Sequence, residues 1–129
     1  MADLPIPIVI LDDDAGSRRS MQLLLQGRGF NVRSFAIPEL LIAEVKANNP
    51  ACLVTDYLMA GHDGLQVLAA LRSAGWKGRA IMVTAFGSTE LMQKAIAHGF
   101  DAVLDKPCKE SALVNAVIDA TTRDVDPQV

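Results

Sequence analysis

The stretch Leu53-Val54-Thr55-Asp56-Tyr57 is a short apolar run that ends on a carboxylate. Three other apolar runs also end on polar side chains, at Asp12-Asp13-Asp14, at Thr84 and at Asp105-Lys106. Short apolar runs that are rich in β-branched residues and separated by longer helical patterns are typical of buried parallel strands joined by helical crossovers. The sequence therefore predicts an α/β fold built on a parallel sheet.

Five predicted strands alternate with five predicted helices. The strands are expected at about residues 6–11, 30–35, 51–55, 80–84 and 102–104, and the helices at about residues 15–26, 38–47, 64–74, 89–98 and 110–122. Gly27 and Gly99 are predicted to end the first and fourth helices, and Asp63 and Ser88 to cap the third and fourth. The half-polar second strand suits a sheet edge, and right-handed crossovers then favour the doubly wound order 2-1-3-4-5.

Size and composition indicate one globular domain. A chain of 129 residues is long enough for a single core, expected over residues 1–122, with residues 123–129 as a C-terminal tail. Half of the residues are hydrophobic and 21% are charged, which argues against disorder. The net charge of −3 argues against nucleic acid as a partner. No apolar run resembles a signal peptide or a membrane span, so we expect a cytoplasmic protein without membrane contact.

The strand ends predict a binding site. Parallel strands point the same way, and ligands bind in the crevice at their carboxyl ends. This places Asp12, Asp13, Asp56, Thr84 and Lys106 at one edge of the predicted sheet. Three carboxylates, one hydroxyl and one ammonium are suited to a divalent cation together with a phosphoryl group. The isolated Cys52 and Cys108, by contrast, lack the spacing of a zinc or redox motif.

Over essentially its whole length, the sequence resembles the receiver (CheY-like) domains of bacterial two-component response regulators. The resemblance rests on four segments in the right order and spacing. They are Asp12-Asp13-Asp14, the segment from Thr55-Asp56-Tyr57 to Asp63-Gly64, Val83-Thr84-Ala85, and Asp105-Lys106-Pro107. Each is weak alone, and together they are specific.

The resemblance implies a phosphoacceptor that assists its own phosphorylation and dephosphorylation, and not an enzyme. Asp56 would receive a phosphoryl group from a sensor histidine kinase or a phosphotransfer protein. Asp13, Asp56 and the backbone carbonyl of Leu58 would hold Mg²⁺ (or Mn²⁺), with Asp12 acting largely through water. Thr84, Ala85 and Lys106 would bind the phosphoryl group, and the bond before Pro107 would be cis.

The resemblance also implies where signalling and dephosphorylation are controlled. The face made by the fourth helix, fifth strand and fifth helix would dock a downstream protein, and a homodimer is left open. Leu58 and Phe86 occupy the positions that flank the approach of hydrolytic water.

The sequence departs from the family at several positions. Val103 replaces the usual Tyr or Phe of the switch, and Phe100 replaces a small residue, which we expect to reshape the face just described. Ala60 replaces a common proline, and Cys108 a bulky apolar residue. Asp14 is interpreted as a solvated loop acid, and Arg18 and Arg19 as a solvated helix face.

Two other functions remain open at this point. A haloacid-dehalogenase-type phosphatase also uses strand-end aspartates, a threonine and a lysine, but it would leave Asp56 unexplained and needs a longer chain. A degenerate receiver that only binds proteins would not need all five site residues. The last predicted helix ends about seven residues before the end of the sequence, which fits a single-domain regulator or a fragment of a longer one.

Overall fold

The computed structural model describes residues 5–122, and the predicted tail lies outside them. The strands are β1 (Pro7–Leu11), β2 (Asn31–Phe35), β3 (Cys52–Thr55), β4 (Leu58–Met59), β5 (His62–Asp63), β6 (Arg79–Thr84) and β7 (Ala102–Asp105). The helices are α1 (Ala15–Gly27), α2 (Pro38–Asn48), α3 (Gly64–Ser73), α4 (Thr89–Ala97) and α5 (Glu110–Thr122). All ten predicted elements are found, and their ends differ from the prediction by at most one residue.

The main sheet is parallel and has the order β2-β1-β3-β6-β7. Because β6 and β7 are the fourth and fifth predicted strands, the doubly wound order is confirmed. The register aligns the strand ends, with Leu11 opposite Thr55 and Thr84 opposite Asp105. The residues that follow these strands therefore meet at the carboxyl edge of the sheet.

Both faces of the sheet are covered, which explains why the interiors of its central strands are apolar. Ile8 and Ile10 face the layer formed by α1 and α5, while Val9 and Leu11 face the layer formed by α2, α3 and α4. Leu53 and Val54 are both fully buried, one on each face. The two ends of the described chain meet at the opposite, amino edge, where Ile6 and Thr121 line the same surface cavity.

Helix ends follow the predicted caps with two corrections. Asp63 and Ser88 cap α3 and α4 by accepting the N–H groups of the third residue after each. Asp14 is not merely a solvated acid, because its carboxylate accepts the Ser17 N–H at 2.7 Å and caps α1. Gly27 is the last helical residue, and the left-handed conformation belongs to Gly29, with φ 93°.

A small hairpin in the loop after β3 was not predicted. Leu58 pairs with Asp63 and Met59 with His62 in antiparallel fashion. The turn is Ala60-Gly61, and the φ of 78° at Gly61 favours glycine. Strands of two residues carry no alternation pattern, so periodicity could not reveal them.

Phe100 lies in the core and not on the surface. Its side chain is 3% exposed and belongs to the cluster beneath α2, α3 and α4. Any effect of this residue on the α4–β7–α5 face therefore acts from beneath that face.

Among the helices of residues 5–122, none combines the length and the apolar character that crossing a membrane requires.

Candidate functional site

The centre of the site is an ammonium group between two carboxylates. Lys106, which follows β7, places its Nζ 2.8 Å from Asp12 Oδ2 and 3.0 Å from Asp56 Oδ2. Asp12 follows β1 and Asp56 follows β3, so the bridge joins three strand ends across 94 and 50 residues of sequence. Sequence reasoning placed these residues together, and the structure confirms that juxtaposition.

The two carboxylates are buried and fully hydrogen-bonded. Asp12 is completely buried, and its Oδ1 accepts the Asp14 N–H at 2.9 Å. Asp56 is 9% exposed, and its Oδ1 accepts the Tyr57 N–H at 2.6 Å. Burying two negative charges side by side is costly unless a cation and donors offset them, which is what Lys106 and the two N–H groups do.

Lys106 is held in its charged form. Burial alone lowers the pKa of its ammonium, but the hydrogen bonds and charges of Asp12 and Asp56 outweigh burial and raise that pKa above 10.5. The bridge therefore carries a full positive charge at neutral pH.

Asp13 makes a separate contact, with the loop after β3. Its side chain is exposed, and Oδ2 accepts the backbone N–H of Ala60 at 2.9 Å. Among residues 5–122, no three His, Cys, Asp or Glu side chains are gathered closely enough to hold a metal ion. The predicted cation ligands are thus adjacent but are not arranged as a preformed metal site.

The donor set nevertheless suits Mg²⁺ or Mn²⁺ chemically. Carboxylate and carbonyl oxygens are hard ligands, and Mg²⁺ keeps several waters, so few protein ligands are required. Asp12 and Asp56 already share one cationic partner. Asp13 and the Leu58 carbonyl come from the two loops beside them.

Thr84 and Ala85 lie where the prediction placed them, at the end of β6. Thr84 is fully buried and its Oγ1 accepts the Phe86 N–H at 3.0 Å, while Ala85 is exposed. The Lys106 N–H donates to the Thr84 carbonyl at 2.8 Å, which ties the hydroxyl-bearing residue to the lysine. The Lys106-Pro107 peptide bond is cis, as the resemblance implies.

A glycine closes the loop that carries Asp56. The Gly64 N–H donates to the Tyr57 carbonyl at 2.7 Å. A Cβ at position 64 would lie 2.5 Å from the Asp56 carbonyl oxygen and 3.2 Å from Thr55 Cγ2. Only glycine allows α3 to start this close to the backbone of Asp56.

Three further predicted positions differ in exposure. Leu58 is 46% exposed and Phe86 is 60% exposed, so both side chains lie at the surface near the strand ends. Val103 is partly buried and packs against the core beneath α4.

Arg18 has a role that sequence reasoning missed. Its Nη1 donates to the Asp12 backbone carbonyl at 2.8 Å, so it holds the acidic loop and is not simply part of a solvated face. Arg19 is exposed as expected. Arg18 lies six residues after Asp12, in the first part of α1, but a lone arginine on a helix does not identify a carbonyl partner from sequence.

Comparison with known proteins places the chain in a family. A family model for the response regulator receiver domain matches residues 8–118. The transcriptional regulatory protein FixJ of Bradyrhizobium diazoefficiens is 28% identical over 120 residues, covering 93% of this chain and 58% of FixJ. The transcriptional regulatory protein TdiR of Thauera aromatica is 31% identical over 111 residues, covering 85% of this chain and 48% of TdiR. This chain thus spans about half the length of these curated relatives.

Solved structures agree with the fold. The FixJ-N crystal structure superposes with a TM-score of 0.85 at 25% identity and covers 98% of this chain and 99% of that chain. The receiver domain of the putative response regulator NarL from Mycobacterium tuberculosis gives a TM-score of 0.84 at 26% identity, covering 93% of this chain and 98% of that one. The strand-end site, the fold and the matched residues together identify the chain as a member of the response regulator receiver domain family.

Proposed function

We propose that Asp56 accepts a phosphoryl group from a phosphohistidine of a sensor histidine kinase or phosphotransfer protein. The observation that carries the proposal is the Lys106 ammonium within 3.0 Å of both Asp12 and Asp56 at the carboxyl edge of the sheet. An ammonium held beside a carboxylate offsets the charge of an incoming phosphoryl group, which otherwise repels the attacking oxygen.

The chemistry is a phosphoryl transfer between two side chains. An Asp56 carboxylate oxygen forms a bond to phosphorus while the bond from phosphorus to the histidine nitrogen breaks. That nitrogen keeps the electron pair, and the ring leaves as neutral imidazole because its other nitrogen carries a proton. The Lys106 ammonium then pairs with a negatively charged oxygen of the transferred phosphoryl group. The Thr84 hydroxyl, now accepting the Phe86 N–H, can donate its own hydrogen to another phosphoryl oxygen.

Mg²⁺ or Mn²⁺ completes the proposed site. Asp13, Asp56 and the Leu58 carbonyl would hold the ion, with Asp12 contributing largely through water. When bound, the cation supplies the positive charge that the carboxylates lack for receiving a phosphoryl group.

Signalling is proposed to proceed through protein contacts at the face made by α4, β7 and α5. Met92 and Ile96 are each nearly half exposed on α4, four residues apart, so this helix offers two exposed apolar side chains to a partner. A downstream protein or a second copy of this chain could bind there. The relatives named above are about twice as long as this chain, so a large part of each lies outside the match.

The test is labelling with acetyl phosphate and Mg²⁺, followed by intact mass measurement. Wild type should gain one phosphoryl group, and both Asp56→Ala and removal of the metal with a chelator should abolish the gain. An unmodified wild-type mass would favour a receiver that only binds proteins. Sustained turnover of a small phosphomonoester would favour the phosphatase alternative.

A further inference from the structure

The side chain of Asp13 is held by a backbone group from a distant loop. Its Oδ2 accepts the Ala60 N–H at 2.9 Å, across 47 residues of sequence. Ala60 is the first residue of the two-residue turn between β4 and β5. In such a turn, the N–H of the first residue takes no part in the strand ladder. This donor is therefore available for Asp13.

The contact depends on which residue stands at position 60. Proline has no N–H, so a proline there could not hold Asp13. The turn itself would accept proline, because Gly61 has φ 78° and Ala60 is not among the described residues with positive φ. That combination fits a type II turn, in which proline is common at the first turn position. The alanine thus adds a donor that the backbone shape does not require.

Among the hydrogen bonds accepted by Asp12, Asp13 and Asp56, the bond from the Ala60 N–H is the most easily broken. Five of the six carboxylate oxygens of Asp12, Asp13 and Asp56 accept a hydrogen bond from the described part of the chain. The four bonds to Asp12 and Asp56 are partly buried, whereas the bond from Ala60 to Asp13 is exposed. An exposed hydrogen bond is replaced by water at lower cost than a partly buried one, so rearrangement of these carboxylates should begin there.

We propose that the Ala60 N–H is a positioning group that holds Asp13 in the metal-free state and thereby lowers the affinity of the site for a divalent cation. The inference rests on the proposed function, in which Asp13 is a ligand. Binding the cation requires Asp13 to turn toward Asp12 and Asp56, since no three carboxylates of the described residues are gathered for a metal. That movement breaks the bond to Ala60 and frees the β4–β5 turn.

The experiment is a titration of the full chain with MgCl₂, followed by ¹H–¹⁵N NMR, without any phosphodonor. Ala60→Pro removes the N–H and keeps the turn, and it should lower the Kd for Mg²⁺ by about threefold to tenfold, the range of one net hydrogen bond. Ala60→Ser keeps the N–H and should bind Mg²⁺ as wild type does. In wild type, the Ala60 amide proton should move upfield as Mg²⁺ binds, because its hydrogen bond to Asp13 is lost.

The Kd values for Mg²⁺ test the inference directly. An unchanged Kd for Ala60→Pro in a folded protein overturns the inference while leaving the proposed function intact. A higher Kd also overturns it, because the N–H would then be aligning Asp13 for the metal. Absence of Mg²⁺ binding in wild type overturns the inference, and if acetyl phosphate also fails to label Asp56, it contradicts the proposed function as well.

Discussion

Lys106 is the residue on which the buried charges of the site depend. Without its ammonium, the completely buried Asp12 carboxylate would face Asp56 with no cation between them. We expect Lys106→Met to lower the free energy of unfolding by about 2 kcal/mol, less than for a fully buried pair because the lysine side chain is 20% exposed. Urea denaturation measures this difference. Lys109→Met, at an exposed lysine three residues later, is the matched control and should be close to neutral.

The pH dependence of that difference has a defined sign. The pKa of Lys106 is raised above 10.5 in the folded state, so its stabilisation is fully present below the unfolded pKa and is lost as pH rises through the folded pKa. The stability gap between wild type and Lys106→Met should hold up to about pH 10 and shrink at higher pH. A gap that stayed constant through strongly alkaline pH would contradict the assignment.

Leu58 and Phe86 set the expected lifetime of the phosphorylated state. Hydrolysis needs a water in line with the aspartyl phosphate bond, and neither side chain can orient that water by hydrogen bonding. The structure leaves both side chains at the surface beside the strand ends. We expect slow loss of label in wild type and faster loss, by roughly tenfold, in the Leu58→Asn and Phe86→Glu double variant. The measurement is the decay of ³²P-labelled protein, and unchanged or slower decay in the variant would show that Leu58 and Phe86 do not limit the attack of water.

At the scale of elements, the loops after β3 and β6 are expected to carry the response to phosphorylation. Thr84 and Lys106 are already linked, and a phosphoryl group can pull both inward while β7 stays in place. Val103 packs against the core and has no ring to turn inward, so β7 has no aromatic switch at that position. Beryllofluoride, a phosphoryl mimic, should therefore shift amide resonances mainly in residues 56–63 and 85–88 and around Phe100. Large shifts at Val103 with none in residues 85–88 would contradict this expectation.

Element boundaries were predictable because local chemistry specifies them. Asp63, Ser88 and Gly99 act within their own turn of helix, and the apolar strands stop where polar residues begin. The β4–β5 hairpin could not be predicted, since its pairing depends on a single turn between strands of two residues. Its bond to Asp13 joins residues far apart in sequence, which no local pattern encodes.

At the scale of the whole molecule, sheet order was enough to bring the site residues to one edge, but not to assign their contacts. Asp12, Asp56 and Lys106 were expected near one another because parallel strands end together. Three contacts depend instead on side-chain geometry. Lys106 bridges both carboxylates, Arg18 donates to the Asp12 carbonyl, and Asp13 accepts the Ala60 N–H. These contacts form only when the loops have reached their folded conformations, so sheet order alone does not specify them.

The two ends of the described range, residues 5 and 122, meet at the amino edge of the sheet, and this has a practical consequence. Ile6 and Thr121 line one cavity there, on the side of the sheet away from Asp56. A short peptide could join the two ends, and the backbone could then be opened in the exposed loop of residues 85–88. Fluorescent reporters attached to the newly opened ends would sit beside the site, so a circular permutant of this kind offers a direct optical sensor of its occupancy.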